Sequence, residues 1–69
     1  MKLLATRIKE LRLEKGLTQP QLAQAIGCSK GQISFWENAL NEPKASHIVK
    51  LADLFGVSTD YLLGREDWK

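Results

Sequence analysis

The 69-residue sequence predicts an all-α domain of five short helices. Three observations carry that prediction. Apolar residues recur at spacings of three and four along most of the chain, Ser or Thr stands in a capping position ahead of several of these runs, and a glycine follows most of them. Only two prolines are present, and 43% of the residues are hydrophobic, enough for one core rather than a disordered chain. A chain of this length buries roughly 60% of its unfolded surface, so residues 1–69 are read as a single domain with no cleft between domains.

Leu4, Ile8 and Leu11 form one stripe of a first helix over about residues 2–15, which Gly16 stops in a left-handed conformation; Leu13 falls off the stripe. Thr18 and Gln21 have the spacing of a capping box, and Pro20 lies in the first turn, where its missing N–H costs nothing. A second helix follows over residues 19–26, with Leu22, Ala23 and Ile26 inward, and Gly27 breaks it. Ser29 and Gln32 repeat the capping box and open a third helix over residues 30–37. "NALNEP", residues 38–43, is the longest irregular stretch. A fourth helix over residues 44–55 turns Ile48, Leu51, Ala52 and Phe55 to one face and stops at Gly56. Ser58 caps a last short helix, "TDYLL", that ends at Gly64, and "REDWK" is a polar tail.

Several function classes are excluded. Thr6, Arg7 and Lys9 interrupt the apolar start of the chain, so it does not read as a signal peptide, and no run of about 18 apolar residues could span a membrane. Cys28 has no second cysteine, and with His47 alone it cannot form a metal site of known spacing, so no metal or cofactor is expected and a reducing cytoplasm fits best. No nucleophile with a base, paired carboxylates or metal cluster supports an enzyme. The formal charge is +2 but unevenly spread. Residues 1–36 hold Lys2, Arg7, Lys9, Arg12, Lys15 and Lys30 against Glu10 and Glu14, a net of +4, whereas residues 37–69 carry −2. That polarity favours a phosphate-facing side in the first half. Lys9, Glu10, Glu14 and Lys50 read as a solvated face.

The third helix poses the functional question. On a helical wheel Ile33 and Trp36 lie within about 60° of each other and define its buried side. Opposite them stand Lys30, Gly31, Ser34 and Phe35, where a surface helix normally carries long charged side chains. A short, small and partly apolar face can approach another flat surface closely. Two helices joined by a tight glycine turn, the second with its first residues outward, make the geometry by which a helix-turn-helix places a recognition helix in the major groove. Ala23 is small where the two helices cross, Gly27 takes the turn and Ile33 anchors the second helix on the first. On spacing alone, an αα-hairpin without a ligand fits equally well.

The stretch "LTQPQLAQAIGCSKGQISFWEN", followed by "LADLFGVSTDYLLG", resembles the lambdoid phage repressor and Cro-like helix-turn-helix family, also called the XRE family, over residues 6–64. The resemblance implies a lambda-repressor-like five-helix domain that binds double-stranded operator DNA, usually as a twofold dimer, and regulates transcription. By the same resemblance Lys30, Gly31 and Phe35, with Ser34 beside them, face base edges. Gln19 starts the second helix beside a phosphate and braces the first reading residue, and Ser29, Asn38 and Lys44 follow the DNA backbone. Arg12 and Glu37 form a structural pair. Gly31 stands where a base-reading side chain is common, Phe35 can read only a thymine methyl or shape, and the loop from Asn38 to Lys44 has one base, Lys44, beside Glu42.

Val57, Tyr61, Leu63 and Trp68 place more apolar surface after the fourth helix than so small a core is expected to absorb, and the family uses this end for its dimer contact. Such a patch is smaller than the roughly 1,200 Å² of a stable interface, which is compatible with a monomer that DNA assembles into a dimer. The competing reading is an antitoxin-like protein-interaction module that uses Phe35, Tyr61 and Trp68. A domain of a longer repressor fits the same residues.

Overall fold

In the computed structural model, which describes residues 2–69, five helices follow one another: α1 (Lys2–Glu14), α2 (Gln19–Ile26), α3 (Lys30–Glu37), α4 (Ala45–Phe55) and α5 (Thr59–Leu62). Both predicted capping boxes are formed. Thr18 and Ser29 each accept from the backbone N–H three residues on, and the side chains of Gln21 and Gln32 return to the backbone N–H groups of Thr18 and Ser29. Gly27 adopts φ 77°, ψ 40°, a region that costs a residue with a Cβ, and reverses the chain between α2 and α3.

Element ends differ from the sequence reading by one residue in three places. α1 stops at Glu14, because Lys15 already lies in the turn that Leu17 N–H closes on Arg12 O. Lys44 is the cap of α4 rather than its first residue; with ψ 161° its backbone is extended while its carbonyl accepts from Ile48. α5 stops at Leu62, and Leu63 forms its C-cap.

The core joins Leu4, Ile8 and Leu11 of α1, Leu22, Ala23 and Ile26 of α2, Ile33 and Trp36 of α3, Leu51, Ala52 and Phe55 of α4, and Leu62 of α5. α2 packs chiefly on α3, while α1 crosses α3, α4 and α5. Leu13, off the stripe, is exposed, and Ile48 is only half-buried at the edge of the core.

The stripe of α1 also contains a charge. Arg7 lies between Leu4 and Leu11 at helical spacing and is 8% exposed. Its guanidinium stacks 3.9 Å from the centre of the Tyr61 ring, and Nη1 donates to the carbonyls of Tyr61 and Glu66. The polar tail is therefore tied back to the body of the fold. Ser58 N–H donates to Lys69 O at 3.3 Å, Ser58 Oγ donates to Glu66 Oε1, and Lys69 Nζ meets Glu14 Oε1 at 2.8 Å. Gly64, at φ 85°, lies against Leu3, where an added Cβ would come within 2.8 Å of Leu3 Cδ2.

Of the residues expected at a dimer contact, Val57, Tyr61 and Leu63 are partly buried against the core. Of the four residues, Trp68 stays fully outward. Arg7 covers one face of the Tyr61 ring, which stays partly exposed.

Replacing Arg7 with Met keeps the apolar stem but removes the donor to Glu66 O and leaves Tyr61 O to the N–H of Gly64. The expected cost is about 1–3 kcal/mol in a urea titration; an unfolding midpoint equal to wild type would show that these contacts do not hold the tail.

Candidate nucleic-acid interface

The outward face of α3 is built by what fixes its inward face. Ile33 is fully enclosed against α1 and α2, and Trp36 is buried with its ring 5.1 Å from that of His47 in the first turn of α4. With those two positions inward, helical spacing turns Lys30, Gly31, Ser34 and Phe35 the other way. Lys30, Gly31 and Phe35 are exposed and Ser34 is half-buried. A Cβ at Gly31 would meet nothing closer than Ser29 Oγ at 3.8 Å, an ordinary contact, so the fold leaves that position open.

One ionic junction sets the tilt of α3. Arg12 Nε donates to Glu37 Oε2 at 2.7 Å and Arg12 Nη2 to Glu37 Oε1 at 3.1 Å, a two-pronged pair that links α1 to the last residue of α3. The remaining prong, Nη1, donates to Leu17 O at 2.8 Å and holds the turn before α2. Gln19 Nε2 donates to Glu37 Oε1 at 3.1 Å. The Gln19 amide thus donates to Glu37 at the far end of α3. Its place at the first position of α2 is as expected.

The other positions expected along a DNA backbone have mixed surroundings. Ser29 Oγ accepts the N–H of Gln32 in the α3 capping box. Asn38 Nδ2 donates to Ser34 O at 2.8 Å and closes the end of the helix. Lys44 is exposed and makes no side-chain cap bond. Cys28 lies in the turn between α2 and α3, where partial burial pushes its thiol pKa up and keeps it a poor nucleophile. His47 is committed to the Trp36 ring rather than to Cys28.

The charge argument changes as well. Arg7 and Arg12, two of the six bases of residues 1–36, are buried and bound within the fold. The exposed bases of that half are Lys2, Lys9, Lys15 and Lys30, and of these Lys30 belongs to the outward face of α3. Sequence reasoning missed Arg7 because a single arginine in a helical stripe resembles a surface residue; its two carbonyl partners lie more than fifty positions away.

A family profile described as helix-turn-helix matches residues 8–62. The chain belongs to the helix-turn-helix family, of the XRE type. The transcriptional regulator ImmR of Bacillus subtilis is 36% identical over 64 residues, which are 93% of this chain and 50% of that protein. The P22 c2 repressor in complex with a synthetic operator superposes with a TM-score of 0.87 at 30% identity, covering 96% of this chain and 100% of that one. The N-terminal DNA-binding domain of SinR from Bacillus subtilis superposes with a TM-score of 0.84 at 31% identity, covering 91% and 93%. The chain spans about half the length of the curated relatives it matches.

Replacing Glu37 with Ala leaves Arg12 buried without its counter-charge. The expected loss is roughly 3–5 kcal/mol, read from chemical denaturation; a variant as stable as wild type would show that the junction does not hold α3.

Proposed function

We propose that this domain is a sequence-specific regulator of transcription, acting in the cytoplasm as a repressor that lays α3 into the major groove of operator DNA. The observation that carries the reading is the outward face of α3: a lysine, a glycine, a serine and a phenylalanine on a helix whose position is fixed at both ends. Likeness to a repressor crystallised with its operator supports it. Lys30 stands in the first turn, where a lysine suits the O6 and N7 acceptors of guanine, and Phe35 offers an apolar edge to a thymine methyl. Gly31 allows close backbone approach, and Ser34 can donate or accept at a base edge. Gln19, Ser29, Asn38 and Lys44 lie at positions suited to phosphates on either side. No catalytic role is assigned to the domain.

Dimeric binding belongs to the same proposal. Two α3 helices entering successive major grooves about 34–36 Å apart require a near-palindromic operator. With Val57, Tyr61 and Leu63 partly buried, Trp68 is the exposed apolar member of the C-terminal patch, which favours a monomer in free solution and a dimer on DNA.

Fluorescence anisotropy with duplex DNA at several salt concentrations tests the reading, because phosphate binding weakens steeply as salt rises. Absence of binding at low salt would favour a protein-interaction module that presents Phe35 and Trp68. Lys30→Ala is expected to cost about 1–3 kcal/mol on a selected site and less on random duplex; equal losses on both would make Lys30 a phosphate contact. A full site is expected to bind two chains with higher affinity than a half-site, and one chain per full site would defeat the dimer.

A further inference from the structure

α3 ends without a glycine. Ala39 takes φ 57°, the only positive φ at a non-glycine residue among the described residues. Around it the chain closes two reversed hydrogen bonds: Ala39 N–H donates to Trp36 O at 3.1 Å, and Leu40 N–H donates to Phe35 O at 2.9 Å. This is a Schellman closure, in which the residue after the left-handed one is brought beside the residue whose carbonyl it caps. Leu40 is therefore set next to Phe35. In such a closure the two apolar side chains usually cover one another, yet here Leu40 remains 70% exposed and Phe35 48%.

The charge pattern around the pair narrows what can cover it. Residues 31–41 contain one charged side chain, Glu37, which is 2% exposed and bound to Arg12. Lys30 directly precedes the segment, whereas beyond its other end the exposed Glu42 comes before Lys44. An apolar centre with a lysine at the helix end complements a surface that joins anionic and apolar groups. The major groove has that character, with phosphates along its walls and the thymine C5-methyl as the apolar group on its floor. Phe35 belongs to the outward face of α3, and Leu40 is exposed just past the end of the same helix.

We propose that Leu40 is a specificity-determining residue that, beside Phe35, reads the C5-methyl of a thymine in each half-site. The inference rests on α3 being a major-groove helix. Leucine has no polar atom for a phosphate, so its contribution depends on a methyl group and not on salt. The irregular loop after α3 then carries sequence information as well as backbone contacts.

The test uses operators selected by the wild-type chain from a random duplex pool, with each thymine replaced in turn by deoxyuridine, which removes only the methyl. Wild type is expected to lose about fourfold in affinity at one thymine position per half-site, the worth of one buried methyl. Leu40→Ala is expected to lose a similar factor on the thymine operator and nothing further when that methyl is removed, with an unchanged salt slope. Leu40→Met, which keeps an apolar tip, should retain the response to the methyl, and circular dichroism melts of both variants should match wild type because the side chain is exposed. If Leu40→Ala binds every operator as wild type does, or if its loss multiplies with that of deoxyuridine at every thymine, the assignment of Leu40 is overturned. Steep salt-dependent binding by wild type in that case leaves the reading of α3 standing. Wild type that binds no duplex at low salt overturns both.

Discussion

The Arg12–Glu37 junction is the constraint on which the rest of the structure depends. α2 and α3 are eight residues each, so few apolar contacts set their tilt, and the junction adds directional contacts to them. The guanidinium contacts the end of α3 and the turn before α2, while the first residue of α2 reaches the same carboxylate. Burying two opposite charges carries a desolvation cost that their attraction does not always recover. Here each prong of the fork has a partner, and what the pair contributes is direction: it fixes where α3 points relative to α1 and α2.

α3 is eight residues long, far below the length at which a helix is stable in water. Its order comes from its ends and one side. Ser29 and Gln32 settle the N-terminal donors, while Asn38, Ala39 and Leu40 settle the C-terminal carbonyls. Ile33 and Trp36 supply the packed side, and the contact of Trp36 with His47 carries the restraint into α4. Ser29, Gln32, Ile33 and Trp36 lie off the outward face, whereas Leu40 both closes the helix and stays exposed. Support and presentation are thus divided between different positions, except at Leu40.

Much of this was legible in the sequence because capping boxes, glycine stops and apolar stripes act over three or four residues. The helix order, both boxes and the inward positions of Ile33 and Trp36 follow from such local patterns. What was not legible depends on partners distant in the chain. Arg7 reads as one more surface base until Tyr61 and Glu66 are brought to it, and Tyr61 reads as free surface for the same reason. The left-handed Ala39 lacks the glycine that marks such positions elsewhere in the chain. At the candidate interface the family resemblance indicated the Arg12–Glu37 pair but not that the Gln19 amide joins the same carboxylate.

Gly31 has a consequence for how such a domain could change its target. A glycine in a helix interior sacrifices roughly 1 kcal/mol relative to alanine and less in the first turn, where Gly31 stands, and nothing around Gly31 demands its small size or an unusual backbone. Most changes to a binding surface cost the fold something, which limits the routes open to a diverging lineage. At this site the direction is reversed: almost any side chain would strengthen α3 while adding a group to its exposed face. New preferences could therefore be acquired with a gain in stability, leaving the scaffold spare tolerance for later, more disruptive substitutions.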